Sequence, residues 1–170
     1  MVDGQILYQN RFVALVERDH YTFLHEIRSD GRLIVIVPFR MENGAIQWLA
    51  RVEICPAHSM TPKRCAITGG VDPDETILQA AQNELYEEAG YRVSAEALID
   101  LGFVYPSKSA DTIATLYSVD LTGQTAETPP SDGSHWEQGT GVDWVDQTEA
   151  LAITDALFLA TWARLQFRTR

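Results

Sequence analysis

Positive charge is scarce in this chain: 13 Lys and Arg stand against 24 Asp and Glu, a net charge of −11. No cationic footprint of the kind that holds nucleic acid or an anionic membrane is available, so neither is expected as a partner. A protein this acidic that handles phosphates needs divalent cations to do it. Cysteine is scarcer still. Cys55 and Cys65 are too few for a disulfide framework and lack the Cys-x-x-Cys spacing of a zinc site. Both are expected as small packed side chains in a reducing cytoplasm. Long apolar runs are missing as well: the longest nearly uninterrupted one, Leu33–Phe39, is far short of the roughly 20 residues that span a bilayer. The opening Met-Val-Asp-Gly-Gln has no basic stretch followed by an apolar one, which predicts no export and a cytoplasmic location.

What is present is ordinary for a globular protein. With 170 residues, 45% of them hydrophobic and 22% charged, the chain is expected to form one domain over residues 1–170 around one sizeable core. From Ile6 to Ile54 the pattern is strand-like. Phe12–Val16, Tyr21–Ile27, Leu33–Phe39 and Ile46–Ile54 are separated by Arg18-Asp19, Ser29-Asp30-Gly31 and Glu42-Asn43-Gly44, which carry turn chemistry. Short gaps favour antiparallel neighbours, so this third reads as a meander of three or four strands.

The period then changes. Thr76–Ala89 reads as a helix, with Thr76 and Gln79 in capping-box spacing at its start and Gly90 just past its end. Strands follow at Ile99–Tyr105, Ile113–Leu121 and Gly141–Val145. A last helix runs from Thr154 to Gln166 with Phe158, Trp162 and Leu165 on its packing face. Between them Thr122–Thr140, rich in Thr, Pro, Gly, Ser and Asp, reads as a long surface loop. The order implies an α/β sandwich with helices packed on a mixed sheet.

The chemistry concentrates in Gly69–Tyr91. Glu84, Glu87 and Glu88 fall at i, i+3 and i+4 and project from one side of the helix. Leu78, Ala81, Leu85 and Ala89 form its apolar stripe, with Glu88 at the edge and partly buried. Two readings compete on geometry alone. The cluster is either a solvated acidic face or an oxygen-ligand set for a hard cation such as Mg2+, which one or two carboxylates and substrate phosphates usually hold. Acidic groups near a helix C-terminus gain nothing from the helix dipole, and crowding raises their pKa unless a cation compensates, which favours the second.

The same stretch resembles the Nudix box: Gly, five free positions, Glu, seven free positions, then Arg-Glu-aliphatic-any-Glu-Glu-any-Gly-aliphatic. Gly69, Glu75, Glu84, Leu85, Glu87, Glu88 and Gly90 match. The exact Gly and Glu matches have chance odds of about one in ten million per window. Asn83 stands in place of the box Arg and Tyr91 in place of the last aliphatic residue. The resemblance implies an α/β/α sandwich with a mixed sheet, preceded by an N-terminal antiparallel strand segment over about residues 1–30. It implies metal-dependent hydrolysis of a pyrophosphate bond in a nucleoside diphosphate derivative. Mg2+, with Mn2+ as an alternative, would be held by Glu84, Glu87, Glu88 and the backbone carbonyl near Thr68, with Glu75 steadying the loop.

Finer features resemble the ADP-ribose pyrophosphatase subgroup. Pro106 lies fifteen residues beyond Tyr91, the position of that subgroup's Pro marker. Arg51, on the strand before the box, and Arg64, just upstream of it, are the expected substrate-binding cations. The subgroup implies a loop Glu as catalytic base, here Glu137 with Glu127 second, alongside Glu87 and Glu88. It also implies a homodimer through the N-terminal strands. Asn83 keeps an alternative open: a module of the same fold that binds a nucleotide or regulates without hydrolysing.

Overall fold

A computed structural model describes residues 2–129 and 141–168. Strands β1 (Gln5–Gln9), β2 (Val13–Arg18) and β3 (Tyr21–Glu26) form an antiparallel N-terminal sheet in the order β1-β2-β3. This is the strand segment expected before the core. The Leu33–Phe39 run divides into β4 (Arg32–Ile36) and β5 (Phe39–Glu42), and β6 (Ala45–Glu53) pairs back on β5. Two further short strands follow, β7 (Lys63–Cys65) and β8 (Ile67–Gly70), then helix α1 (Ile77–Ala89). The chain continues through β9 (Ile99–Val104), β10 (Ile113–Ser118), β11 (Gly141–Val145), α2 (Gln147–Ala152) and α3 (Ala156–Arg168).

The continuous meander expected of the first third does not form, because β4 leaves its sequence neighbours. It lies inside a mixed sheet of order β8-β4-β10-β9, parallel to β10 and antiparallel to β8. The reason lies in its side chains. Ile34, Val35, Ile36 and Val37 are all fully buried, so both faces need apolar cover, which only a central strand between two layers receives. Ile34 and Ile36 pack with Ala80, Ala81 and Leu85 of α1, while Val35 and Val37 pack with Phe158 and Leu165 of α3. Helix, sheet and helix are thereby stacked as the expected α/β/α sandwich.

Pro38 marks where the chain changes sheets. Val37 N–H still donates to the Tyr117 carbonyl at 3.1 Å, whereas the Pro38 carbonyl accepts from Leu49 N–H at 2.9 Å in the second sheet. That sheet has the order β11-β6-β5, with β7 added beside β6. The expected packing face of the last helix is observed: Phe158 and Leu165 are buried, and Trp162 meets Trp48 edge-on with centroids 5.9 Å apart. The stripe of α1 differs at one position, since Leu78 is exposed and Ala80 is buried in its place. Cys55 is also exposed, contrary to expectation, because it lies beyond the end of β6; Cys65 is largely covered.

Helix α1 starts and stops as its sequence dictates. Thr76 and Gln79 form a reciprocal capping box, and Gly90 closes the helix at φ 76° with its N–H on the Tyr86 carbonyl. Only glycine serves there: a Cβ on Gly90 would overlap the Glu127 carbonyl oxygen, and the Glu127 N–H in turn donates to Gly90 at 2.9 Å. Gly90→Ala is therefore expected to cost about 2–4 kcal/mol. A shift of the urea midpoint checks it, and an unchanged midpoint would show that the loop yields freely.

Candidate active site

The three helix carboxylates occupy different environments. Glu84 and Glu88 are half-buried and Glu87 is exposed. Glu84 lies flat against β8, where Thr68 pairs with Val35 and Gly69 with Ile34. A Cβ on Gly69 would overlap the Glu84 side chain, so any larger residue here would push Glu84 out of its place. The same contact brings Glu84 beside the Thr68–Gly69 backbone. Burial, reinforced by Glu88, Glu87 and Glu75, pushes the Glu84 carboxyl up to about 7, with Arg28 opposing.

Glu88 has a cationic neighbour. Arg51, on β6, places Nε 2.5 Å from Glu88 Oε2 and Nη1 3.3 Å from the Glu88 carbonyl. The sequence-derived substrate cation is thus held against a box carboxylate. Asn83 does not face Glu87, its neighbour one turn on; its Nδ2 donates to Glu75 Oε1 at 2.5 Å. The amide thereby ties the helix to the segment that precedes it. Asn83→Arg is expected to convert this bond into a charge-assisted pair and to add about 0.5–1 kcal/mol of stability. It also neutralises one of the charges that burden Glu84. Turnover at saturating Mg2+ should rise without a change of substrate; a loss at every Mg2+ concentration would reject that account.

Two of the remaining candidates, Arg64 and Pro106, line a cleft of about 620 Å3 with Cys55, His58, Lys63 and Leu157, among others. Arg64 and Pro106 are brought together here. Arg64 is already engaged, with Nε 3.1 Å from Asp143 and Nη1 3.1 Å from Glu149, so it is fixed in place. Arg51 does not line the cleft itself, but its β7 partner across the sheet is Cys65, a lining residue. Glu137, the expected base, lies outside the described residues. Glu127, the second candidate, is paired with Arg92 at 3.2 Å and tied to Gly90 beyond the end of α1.

The residues that could hold a divalent cation are Glu84, Glu87, Glu88 and the Thr68 carbonyl. The donors are all oxygen, the strand edge is bare at Gly69, and Glu84 sits in a crowded half-buried position that a cation relieves. Among the described residues no group of three or more His, Cys, Asp or Glu side chains forms a ready cage. The set therefore fits a cation that keeps waters and takes ligands from a phosphate substrate. Sequence reasoning missed the Arg28 field on Glu84 and the Arg51–Glu88 pair. Alternation along β6 puts Arg51 and Glu53 on one face, but nothing local says which helix that face meets.

A sandwich with a glycine-backed cluster of carboxylates on its first long helix defines a NUDIX-type fold. The NUDIX domain matches residues 28–166, and the chain belongs to that family. Solved structures share the fold at low identity. The NUDIX domain of Shewanella oneidensis NrtR complexed with ADP ribose is 15% identical, with 82% of this chain and 88% of that chain covered and a TM-score of 0.64. An ADP compounds hydrolase is 12% identical, covering 95% and 89%, with a TM-score of 0.65. A C. elegans Ap4A hydrolase is 20% identical, covering 81% and 96%, with a TM-score of 0.57. No curated protein matches the sequence.

Proposed function

We propose that this chain is a metal-dependent pyrophosphohydrolase of nucleoside diphosphate derivatives, with ADP-ribose or a nucleotide sugar as its substrate class. The observation that carries this reading is the placement of Glu84 against Gly69 with Glu87 and Glu88 on the same helix side, and a cleft elsewhere on the chain gathers Arg64 and Pro106. Glu84, Glu87, Glu88 and the Thr68 carbonyl would hold Mg2+, or Mn2+ in its place, which would supply polarisation of phosphorus and a lowered pKa for an attacking water. The protein's own residues do the rest. Arg51 and Arg64 neutralise the pyrophosphate, Pro106 shapes the cleft wall, Glu75 and Asn83 brace the loop, and Glu137 or Glu88 accepts the proton of the water.

Two solved neighbours are hydrolases of adenosine phosphate compounds by name, and a third is described with ADP ribose bound. Products separate the substrate classes. With Mg2+, an ADP-ribose pyrophosphatase yields AMP and ribose 5-phosphate, whereas a triphosphatase releases inorganic pyrophosphate from nucleoside triphosphates. A second reading rests on Asn83: the fold acts as a sensor that binds ADP-ribose and leaves it intact. Saturable binding with no product after prolonged incubation would select it.

The N-terminal sheet is proposed as a homodimer contact. Strand β1 is a free edge, and Ile6, Leu7 and Tyr8 on it are 49%, 47% and 61% exposed. Sedimentation at micromolar concentration should return twice the 19.0 kDa chain mass. Monomeric mass would remove the proposal.

A further inference from the structure

We propose that Arg51 is a charge latch on Glu88 that the substrate's pyrophosphate releases, so that Arg51 acts as a positioning residue coupling substrate and cation binding. The inference rests on the pyrophosphohydrolase reading above. Arg51 Nε stands 2.5 Å from Glu88 Oε2, and the guanidinium side chain is only 12% exposed. The two side chains form an ion pair. A guanidinium stays protonated at any working pH, so Arg51 cannot release Glu88 by losing its proton.

Three consequences follow from that placement. A divalent cation approaching Glu88 alone must displace or tolerate a fixed positive charge. A pyrophosphate diester offers the planar guanidinium a doubly charged, bidentate partner better matched to it than one carboxylate oxygen. Arg51 is also the partner across the sheet of Cys65, a lining residue of the cleft, and its charge acts on the Cys65 thiol, so a substrate seated there comes under the guanidinium's field. As Arg51 turns to the phosphates, the positive charge beside Glu88 is withdrawn and the cation can approach. By linkage, the cation in turn tightens substrate.

The test is Mn2+ binding to the full chain, followed by the electron paramagnetic resonance signal of free Mn2+, without and with the non-hydrolysable α,β-methylene analogue of ADP-ribose. Removing the latch in Arg51→Gln is expected to tighten binding of Mn2+ alone about tenfold and to shrink the gain from the analogue by a similar factor. Arg51→Lys, which keeps the charge, should stay near wild type. In the wild-type chain the analogue alone, without metal, should move the Arg51 Nε–H resonance, a readout independent of whether a variant folds. Unchanged or weaker Mn2+ binding in Arg51→Gln, or a resonance that the analogue leaves in place, overturns the latch while sparing the functional reading. Wild-type protein that binds no Mn2+ with or without the analogue overturns both.

Discussion

Glu84→Gln is expected to make the metal-free protein more stable at pH 8, and to abolish its stabilisation by Mg2+. The sign follows from the direction of the shift. In the folded chain the Glu84 carboxyl is raised from 4.5 to about 7, chiefly by burial. The native state therefore favours the protonated form below pH 4.5 and progressively loses that advantage as pH rises through 7. Glutamine stays neutral throughout. The stability difference between variant and wild type should be near zero at pH 4, grow between about pH 4.5 and 7, and level off at about 3 kcal/mol, from roughly 1.4 kcal/mol per pH unit of displacement. Urea unfolding in EDTA at pH 4.5, 6 and 8 measures it. Addition of Mg2+ should raise the wild-type midpoint at pH 8 and leave the variant where it is, because a ligand at free concentration L that binds only the native state stabilises by RT ln(1 + L/Kd) and the variant has lost the site. A variant that loses stability at pH 8 would mean that Glu84 serves the fold rather than a cation.

The second large effect concerns turnover. Glu87→Gln and Glu88→Gln keep side-chain shape and remove one charge each, and each is expected to lower Mg2+-dependent turnover by about a hundredfold or more. The two differ in how they act on the metal-free protein. Glu87 is exposed, so its loss should leave the urea midpoint within about 0.5 kcal/mol of wild type. Glu88 is 29% exposed and paired with Arg51, which is nearly covered, so its loss leaves a buried cation with a neutral partner and should lower the midpoint. Wild-type turnover in both variants would remove the carboxylates from the chemistry altogether.

The parts of this account that were legible in the sequence are those fixed by neighbours a few residues apart. The capping box of Thr76 and Gln79, the left-handed stop at Gly90 and the one-sided set Glu84, Glu87 and Glu88 all follow from helix geometry over one or two turns. Strand β11 and the buried face of α3 are likewise local patterns. What escaped depends on partners far along the chain. The run Leu33–Phe39 looks like one strand because its apolar residues are continuous; only the crossing to β10 and β6 shows that Pro38 splits it between sheets. Strands β7 and β8 are three and four residues long, too short to show an alternation. Helical spacing sets Asn83 one turn before Glu87, but its side chain reaches back to Glu75 before the helix, across eight residues. The Arg51–Glu88 pair joins strand β6 to helix α1 across 37 residues, and no local rule sets the packing that creates it.

The central claim is that the helix carboxylates support hydrolysis of a pyrophosphate bond, and phosphorus NMR of one reaction addresses it directly. Purified chain is mixed with ADP-ribose in EDTA, and excess Mg2+ is then added. The account predicts that the paired pyrophosphate resonances persist in EDTA and give way after Mg2+ to two phosphomonoester signals, those of AMP and ribose 5-phosphate, and that Glu88→Gln carried through the same protocol loses this conversion. Pyrophosphate resonances that remain intact with Mg2+, or monoester signals that appear at the same rate in EDTA, would contradict it.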